Sequence, residues 1–356
     1  MSVNAHAARA SAPRVAIVGG GLAGLAVAFR LAERCEVVLI EHSGRAGGQI
    51  RTDFEHGCLV ERGAESFVAS AEALRALAID AGLGDELVEQ RSDRDLIWHE
   101  GRLAAIPPTS PLPARTSMRG GMQSLIDGLV ARVSHRIDVR LDAAVCALAG
   151  GPGGPRLELS AGADLEADAV VLCTGAPVAA ALCASVSTDD ALTRAVPHST
   201  VNVQLAYDRS DVAHPLDARG LYFAGDGRPD RAVACHFVTS RFVGRAPSET
   251  VLLRVFFRPS AADGFVDDAV WRARARDALG ESLDLCARPR HVWTSSWPDA
   301  LSRMADDDHV RLQVLQRELR ESRVVLAGAH FEAGGDLGAA ARSAQRAVDD
   351  VASMVR

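Results

Sequence analysis

The chain has 356 residues, of which 48% are hydrophobic and 24% charged, so we expect a globular protein with two domains or one domain carrying a large insertion. Its net charge of -7 at pH 7 argues against a general affinity for nucleic acid or anionic membranes. The chain contains no lysine, and its seven cysteines form no C-x-x-C pair. We therefore expect a reduced, cytoplasmic protein without disulfides or a metal site.

The N-terminal part of the sequence predicts a nucleotide-binding unit. Residues 1–13 lack a continuous apolar run and are expected to form a loose tail, not a signal peptide. A buried strand follows over 14–18, then a helix over 22–33 and a second buried strand over 36–40. This strand, helix and strand within about thirty residues are typical of a Rossmann-type fold.

The loop between the first strand and the helix fits the pattern G-x-G-x-x-G. Its three glycines are Gly19, Gly21 and Gly24. They allow a tight turn, a close approach of the backbone to a pyrophosphate, and close packing of helix on strand. The helix N-terminus faces the same place with free N–H groups and a positive dipole end. Glu41 ends the second strand, where its carboxylate can accept hydrogen bonds from a ribose.

The remaining elements are predicted in chain order. Helices are expected over 71–83 and 122–133, with a proline-rich connection over 103–119 and strands over 137–148, 157–160 and 169–173. Strands of an antiparallel sheet are expected over 201–207, 220–224, 232–239 and 250–257, followed by helices over 267–279 and 309–318. A last buried strand over 324–327 and a helix over 337–354 return to the parallel type, so the cofactor domain should consist of discontinuous segments.

A second glycine motif follows Glu41 directly. The residues Arg45, Gly47, Gly48 and Thr52, at this distance from Glu41, resemble the second signature of the flavin-containing amine oxidase superfamily. In that superfamily the arginine reaches the FAD phosphates and the glycines pass close to the cofactor. The resemblance therefore implies FAD, and not NAD, as the bound dinucleotide.

Further motifs resemble one branch of this superfamily, the protoporphyrinogen oxidases. They are Gly63-Ala64-Glu65-Ser66-Phe67, Gly120-Gly121-Met122-Gln123, Phe242-Val243-Gly244-Arg245-Ala246-Pro247 and Trp297-Pro298. The similarity spans nearly the whole chain. It implies an α/β fold with a Rossmann-like FAD-binding domain over 14–66, 118–190 and 320–356. A substrate domain of the α+β type, built on an antiparallel sheet, would comprise 67–117 and 191–319.

The resemblance also implies the cofactor contacts. FAD would be bound noncovalently, with the backbone of Val145 at the adenine and with Gly328 and the helix beginning near Asp336 at the flavin ring. The positions expected to bind FAD are Gly19, Gly21, Leu22, Ala23, Gly24, Glu41, His42, Arg45, Gly47, Gly48, Gln49, Val145, Thr174, Gly175, Trp297, Gly328, Asp336 and Leu337. A helix N-terminus aimed at the ring would stabilise the negative charge of reduced flavin.

Three departures from the family stand out. The long helical insertion that supports membrane association and roofs the substrate cavity is missing, because 103–120 is a short proline-rich path. The stretch 333–338 matches the flavin-end motif only loosely, and Ser343-Ala344 replaces a usual Ser-Gly pair. We therefore expect no stable membrane insertion. The prolines of 107–113, a second subunit or a protein-bound substrate would have to cover the flavin.

The catalytic residues are left open by the sequence. Because there is no lysine, the lysine and water used by many amine oxidases cannot operate here. Arg94 stands where the family places an arginine for a substrate carboxylate, and a solvated surface arginine is an equal alternative. His330 and Glu332 follow the last strand, where a role as base is conceivable and a structural hydrogen bond is favoured.

The resulting functional hypothesis is a two-electron oxidation of a C–N or C–C unit in an organic substrate, with O2 or another acceptor taking the electrons. The substrate would be a small molecule or one presented by a carrier. Two alternatives stay open: a flavin-binding scaffold without turnover, and protoporphyrinogen oxidation by a minimal soluble enzyme.

Overall fold

The computed structural model describes residues 12–107, 109, 112–151, 153–225, 231–260, 266–304, 306–332 and 335–355. In the first half of the chain the elements are β1 (Arg14–Val18), α1 (Leu22–Leu31), β2 (Glu36–Ile40), β3 (Thr52–Glu55), β4 (Cys58–Glu61), β5 (Phe67–Val68), α2 (Glu72–Asp80), β6 (Leu87–Glu89), β7 (Leu96–His99), β8 (Arg102–Ala105), β9 (Arg115–Met118), α3 (Gln123–Val133), β10 (Asp138–Arg140), β11 (Val145–Ala149), β12 (Arg156–Leu159), β13 (Leu165–Glu166), β14 (Ala169–Leu172) and α4 (Ala176–Cys183). In the second half they are β15 (Val196–Asp208), β16 (Gly220–Phe223), β17 (Ala232–Phe237), α5 (Val238–Arg241), β18 (Thr250–Phe257), α6 (Asp268–Leu283), β19 (His291–Arg303), α7 (Asp306–Glu321), β20 (Val324–Leu326) and α8 (Leu337–Met354).

A five-stranded parallel sheet in the order β10-β2-β1-β14-β20 forms the centre of one half of the molecule. Its three middle strands are almost entirely apolar and buried, as expected of strands covered on both faces. Helices α1, α3 and α8 pack on one face, while α4, α7 and the small sheet β11-β12-β13 cover the other. The predicted α/β fold with a Rossmann-like sheet is confirmed.

The other half contains a seven-stranded sheet in the order β19-β15-β18-β17-β16-β7-β8. All neighbouring strands are antiparallel except β16 and β7. One face packs on α6 through alternating apolar residues such as Val203, Leu205 and Val255. Since side chains alternate along a strand, Gln204 and Arg254 lie on the opposite face, which faces the Rossmann half.

The two large sheets are built from different parts of the chain, and the predicted domain bounds stay a prediction. The strands of the five-stranded sheet all fall within 14–66, 118–190 and 320–356. The strands of the seven-stranded sheet all fall within 67–117 and 191–319. In the part of the chain that the structure describes, no helix combines the length and the apolar character needed to cross a membrane.

Several sequence-based boundaries were wrong. The span 137–148 contains two strands, β10 and β11, in different sheets. The proline-rich connection includes β8 and β9, and Pro108 and Pro111 lie outside the described residues. Strand β19 was missed, because its Pro298 breaks the usual strand pattern. Proline is tolerated there since β19 is the edge strand of the sheet and needs no second hydrogen-bonded neighbour.

Candidate active site

The glycine loop after β1 has the geometry that its sequence predicts. Gly19 adopts a positive φ of 107°. A Cβ on Gly24 would lie 1.9 Å from the carbonyl oxygen of Gly19, so only glycine allows α1 to pack this closely on the loop. Gly21 is different, because a Cβ there would meet nothing nearer than the Cα of Gly48 at 3.9 Å. The space in front of Gly21 is open and faces the first turn of α1, which has no side-chain cap.

Glu41 lies buried at the carboxyl end of β2, beside this loop. Its Oε2 accepts a hydrogen bond of 2.7 Å from the backbone N–H of Gly20. Its Oε1 accepts from the N–H of Ser43 at 2.9 Å and from the Ser43 hydroxyl at 2.6 Å. His42, by contrast, has an exposed side chain with Nδ1 at 3.0 Å from the same Oε1. The carboxylate is therefore held in a fixed position as an acceptor next to the open space.

The second glycine motif lies against the first. The N–H of Gly47 donates to the carbonyl oxygen of Gly20 at 2.8 Å, and Gly47 forms a parallel bridge with Gly21. Arg45 donates to the carbonyl oxygens of Gly48 at 2.6 Å and Ile50 at 3.1 Å. In this structure Arg45 thus stabilises the turn of the second glycine loop, and the contact with FAD phosphates that the family implies stays a prediction.

Three other expected cofactor positions lie near the same glycine loop. Cys173 directly follows β14, and its carbonyl oxygen lies 2.7 Å from the position that a Cβ on Gly19 would take. Thr174 and Gly175 come next in the chain and therefore lie beside the glycine loop. Val145 begins β11 two residues after Ala143, whose N–H donates to the carbonyl oxygen of Glu41 at 3.0 Å. These positions lie at the carboxyl edge of the parallel sheet, where α/β proteins bind nucleotides.

The far end of the second glycine loop reaches the edge strand β19. The Gln49 side-chain amide donates to the carbonyl oxygen of Ala300. Trp297 donates from Nε1 to the carbonyl oxygen of Arg62 at 2.7 Å. A Cβ on Gly63 would lie 1.6 Å from the carbonyl oxygen of Gln49 and 3.3 Å from the Trp297 ring. The structure therefore brings Gln49 and Trp297 together across more than 200 residues of sequence.

The segment after β20 leads into helix α8. Gly328 has a φ of 149°, and its N–H donates to the hydroxyl of Ser343 at 3.1 Å. Asp336 caps α8, because its Oδ1 accepts from the N–H of Ala339 at 2.7 Å, and Leu337 is half-buried in the first turn. Of the loosely matching stretch between them, residues 333 and 334 lie outside the described part.

The two candidate bases in this segment have structural surroundings. Glu332 forms an ion pair with Arg346 of α8. His330 is half-buried, and burial lowers its pKa, so the imidazole is held neutral. The structural interpretation is favoured for Glu332. A role for His330 as a base stays a hypothesis.

Arg94, the candidate for binding a substrate carboxylate, lies at the surface. Its guanidinium forms an ion pair with Asp217, and both side chains are about half exposed, at 48% and 49%. The next residue, Asp95, is instead buried and pairs with Arg219. The geometry supports the surface interpretation of Arg94.

A buried charged cluster that the sequence did not predict lies between the two halves. Its centre is Glu65, from the segment following β4. Glu65 Oε1 lies 2.6 Å from His236 Nδ1 and accepts from Arg241 at 2.8 Å, while Oε2 accepts from Arg254 at 3.2 Å. Arg254 also donates to the carbonyl oxygen of Gly63 at 2.5 Å. We call Glu65, His236, Arg241 and Arg254 the Glu65 cluster.

The Glu65 cluster has strongly shifted proton affinities. Burial alone would raise the pKa of Glu65, but the charges of His236, Arg241 and Arg254 hold it well below its usual range. Burial lowers the pKa of His236 and outweighs the opposite effect of Glu65. At neutral pH the cluster therefore contains an ionised carboxylate, two guanidinium groups and a neutral imidazole. The signal that could have revealed it was the alternation of polar and apolar residues along β15, β17 and β18.

Aromatic and apolar side chains extend the same sheet face. Tyr222, Phe256 and Ile97 are each half-buried and lie in one cross-strand row. The Phe256 ring lies 4.6 Å from the His236 ring and 4.8 Å from the guanidinium of Arg254, measured to ring centroids. The cleft between the halves thus has a wall of aromatic and apolar groups beside a cationic region.

Comparison with known proteins agrees with this architecture. The family model described as flavin containing amine oxidoreductase matches residues 107–352, and that of the NAD(P)-binding Rossmann-like domain matches residues 17–79. Coproporphyrinogen III oxidase of Mycobacterium tuberculosis (strain ATCC 25618 / H37Rv) is 34% identical over 115 residues, which are 31% of this chain and 25% of that protein. Protoporphyrinogen oxidase 2 of Arabidopsis thaliana is 31% identical over 108 residues, 30% of this chain and 21% of that protein. The matched stretch is therefore about a quarter of the length of these curated relatives.

Solved structures show the same fold over most of the chain. A protein from Exiguobacterium sp. 255-15, provisionally assigned as a protoporphyrinogen oxidase, superposes with a TM-score of 0.86 at 20% identity, covering 96% of this chain and 99% of that one. Cyclohexylamine oxidase from Brevibacterium oxydans IH-35A superposes with a TM-score of 0.78 at 15% identity over the same shares. With a family model matching well over half of its residues, the chain belongs to the flavin-containing amine oxidoreductase family, and FAD is its cofactor.

Proposed function

We propose that the protein is an FAD-dependent oxidoreductase that removes two electrons, with their protons, from a C–N or C–C unit of an organic substrate. The observation that carries this proposal is the open space at Gly21, the N-cap residue of α1, where a Cβ would meet only the Cα of Gly48 at 3.9 Å. The neighbouring Gly20 donates its N–H to the buried carboxylate of Glu41. Backbone N–H groups at a helix N-terminus suit a pyrophosphate, and a buried acceptor suits a ribose. The site thus fits a dinucleotide held without a covalent bond.

Bound FAD would supply the redox chemistry, taking two electrons from the substrate and passing them to O2 or another acceptor. The chain would position the cofactor through its two glycine loops and would exclude water with the aromatic wall of Tyr222 and Phe256. The chain has no lysine to accept a proton released by the substrate, and the neutral imidazoles of His236 and His330 are candidates for that role beside water. These roles agree with a dehydrogenation and assign no covalent catalysis to the protein.

The curated relatives suggest a porphyrinogen as one substrate, since their names specify oxidation of coproporphyrinogen III and protoporphyrinogen. They match this chain over only a short stretch, and the nine residues between β8 and β9 are far fewer than the long helical insertion of the family that this chain resembles. We therefore favour a smaller organic substrate, or one presented by a carrier, over a fully enclosed macrocycle.

The substitution Gly21→Ala tests the cofactor site. We expect it to leave the apoprotein folded, since the new methyl group would meet only the Gly48 Cα at 3.9 Å. The same methyl would occupy the space for the pyrophosphate, so FAD affinity should fall about 100-fold, or about 2.8 kcal/mol at about 1.4 kcal/mol per decade. Gly280→Ala, in helix α6 with its nearest contact at 4.0 Å, is the matched control and should bind FAD normally. Equal FAD affinity in both variants would remove the basis of the proposal.

Turnover separates an enzyme from a flavin-binding scaffold. The FAD-loaded protein is titrated anaerobically with panels of amines, porphyrinogens and other reduced organic compounds while the flavin absorbance is followed. Rapid bleaching by one class supports the enzyme. A flavin that dithionite reduces but that no compound reduces supports the scaffold.

A further inference from the structure

We propose that a cavity at one end of the seven-stranded sheet binds a small phosphate monoester. The cavity has a volume of about 430 Å³ and is formed by the segments between β6 and β7 and between β15 and β16, by helix α5 and by the start of β18 with the residue Ser248 before it. That volume suits a small organic molecule. None of the positions expected to bind FAD is among the described residues that line the cavity. The inference therefore concerns a second ligand, beyond the proposed function.

The first argument is that the cavity has an excess of positive charge. Arg91 and Arg209 line it, and neither forms an ion pair within the described part of the chain. Asp217 is the one carboxylate among the described lining residues, and it already pairs with Arg94, which is not a lining residue. A phosphate monoester carries about two negative charges at pH 7 and would balance both guanidinium groups. The planar N–H fork of arginine also matches the spacing of phosphate oxygens.

The second argument is that neutral backbone groups hold Arg209 in place. Its NH2 group donates to the carbonyl oxygens of Val212 at 2.6 Å and His214 at 2.7 Å. Arg91 is fixed only through its backbone, whose N–H donates to the carbonyl oxygen of Arg241 at 2.9 Å, and its side chain is exposed. Arg209 therefore offers a positioned charge that no protein anion balances, and Arg91 offers a second one that is open to solvent.

The third argument is a set of hydroxyl groups on the same cavity. Ser92, Thr239, Ser240 and Thr250 line it, and each is half-buried. Thr239 Oγ1 accepts a long hydrogen bond of 3.4 Å from the N–H of Leu252, so its own proton is available. The hydroxyls of Ser240 and Thr250 have no hydrogen-bond partner among the described residues. Hydroxyl and guanidinium donors together suit the oxygens of a phosphate.

The fourth argument is the strained loop that forms one wall. Leu216 has a φ of 54° and is the one aliphatic side chain among the described non-glycine residues with positive φ. Its side chain is buried, and its N–H donates to His214 Nδ1 at 3.0 Å. A left-handed conformation is unfavourable for a bulky residue and persists only where the surroundings impose it, which is common at ligand sites. The wall is therefore shaped before a ligand arrives.

The polarity of the wall indicates what carries the phosphate. Eight of the eleven described lining residues are polar, and the others are Pro215, Leu216 and Val251. A hydroxylated body such as a sugar suits this lining better than an aromatic or aliphatic one. The cavity is also larger than a single inorganic ion requires. The geometry thus favours a phosphate ester over free phosphate.

A calorimetric titration of the FAD-loaded protein tests the proposal, because bound FAD occupies its own phosphate-binding loop. The probes are ribose 5-phosphate, ribose and inorganic phosphate, at fixed ionic strength. We expect ribose 5-phosphate to bind at least about tenfold more tightly than either of the others, since only this probe uses both the cationic groups and the hydroxyl-lined wall.

Three variants locate the binding. Arg91→Gln should weaken the binding of ribose 5-phosphate about tenfold, because one charged donor is lost. Asp217→Asn should strengthen it, because the one lining carboxylate is lost. Arg34→Gln is the matched control, since Arg34 is also an exposed arginine but lies after α1 and does not line the cavity. All three positions are exposed, so urea unfolding should show midpoints close to that of the unmodified protein.

Three results would overturn the inference. Ribose that binds as tightly as ribose 5-phosphate would exclude a phosphate site, and inorganic phosphate that binds as tightly as the ester would exclude a site for the ester. An Arg91→Gln variant with the affinity of Arg34→Gln would show that the probe binds elsewhere. These outcomes are independent of flavin reduction, so failure of the proposed function is recognised separately, as absent FAD or as a flavin that no substrate reduces.

Discussion

The carboxylate of Glu65 is expected to make a large contribution to stability. It is 8% exposed and accepts from two guanidinium groups while lying 2.6 Å from His236 Nδ1. The substitution Glu65→Gln keeps the shape and removes the charge, so Arg241 and Arg254 would remain buried beside a neutral amide. Removing one partner of a buried ion pair costs about 3–5 kcal/mol. That is a large part of the total stability of about 5–15 kcal/mol that is usual for a protein.

Equilibrium urea unfolding of the FAD-loaded protein, at a fixed concentration of free FAD, measures this cost. With a slope of about 3 kcal/mol per molar urea, the midpoint should fall by about 1–1.7 M. Glu89→Gln is the control, because Glu89 also pairs with an arginine, Arg75, at 2.6 Å, but its side chain is 53% exposed. The free energy of unfolding of Glu89→Gln should fall by about 1 kcal/mol or less. A loss below 1 kcal/mol in Glu65→Gln would show that the cluster is solvated and that the burial argument is mistaken.

The remaining predictions concern Arg94 and His236. We expect Arg94→Ala to change the rate of flavin reduction by substrate by no more than about twofold. The free energy of unfolding should fall by about 1 kcal/mol or less, since the variant loses only a surface ion pair with Asp217. A tenfold slower reduction would instead support a role of Arg94 in binding the substrate. Burial lowers the pKa of His236 in the folded state below its unfolded value of about 6.5. The neutral imidazole therefore contributes fully to stability above about pH 6.5. This contribution is lost as the pH falls through the folded-state pKa. The free energy of unfolding should therefore decrease below pH 6.5, with a smaller decrease in His236→Asn; equal slopes would mean that the imidazole is not held neutral.

Local pattern was sufficient to predict the first two strands and the last helix of the Rossmann half. Strands β1 and β2 are short apolar runs next to glycines, and their bounds agree with the structure. Helix α8 was also predicted with its bounds, since its small residues recur at helical spacing. In these elements the residues that determine the structure are neighbours in sequence.

The cleft was harder to predict because its contacts join distant residues. Glu65 meets His236 and Arg254 across 171 and 189 residues, and nothing in the local pattern indicates which arginine faces which carboxylate. Arg94 shows the opposite case. Its position in the family motif suggested a ligand contact, and its actual partner is the surface residue Asp217, 123 residues away.

The location of Glu65 restricts how the cleft can open. Its carboxylate follows β4, whereas Arg254 and His236 belong to the facing sheet. A hinge motion that separated the halves would draw an anion away from its buried counter-charges and expose all of them at once, at a cost of several kcal/mol. A rigid-body separation of the two halves is therefore unfavourable. Entry and exit of small molecules should instead depend on short segments at the rim, whose rearrangement leaves the ionic contact between the halves intact.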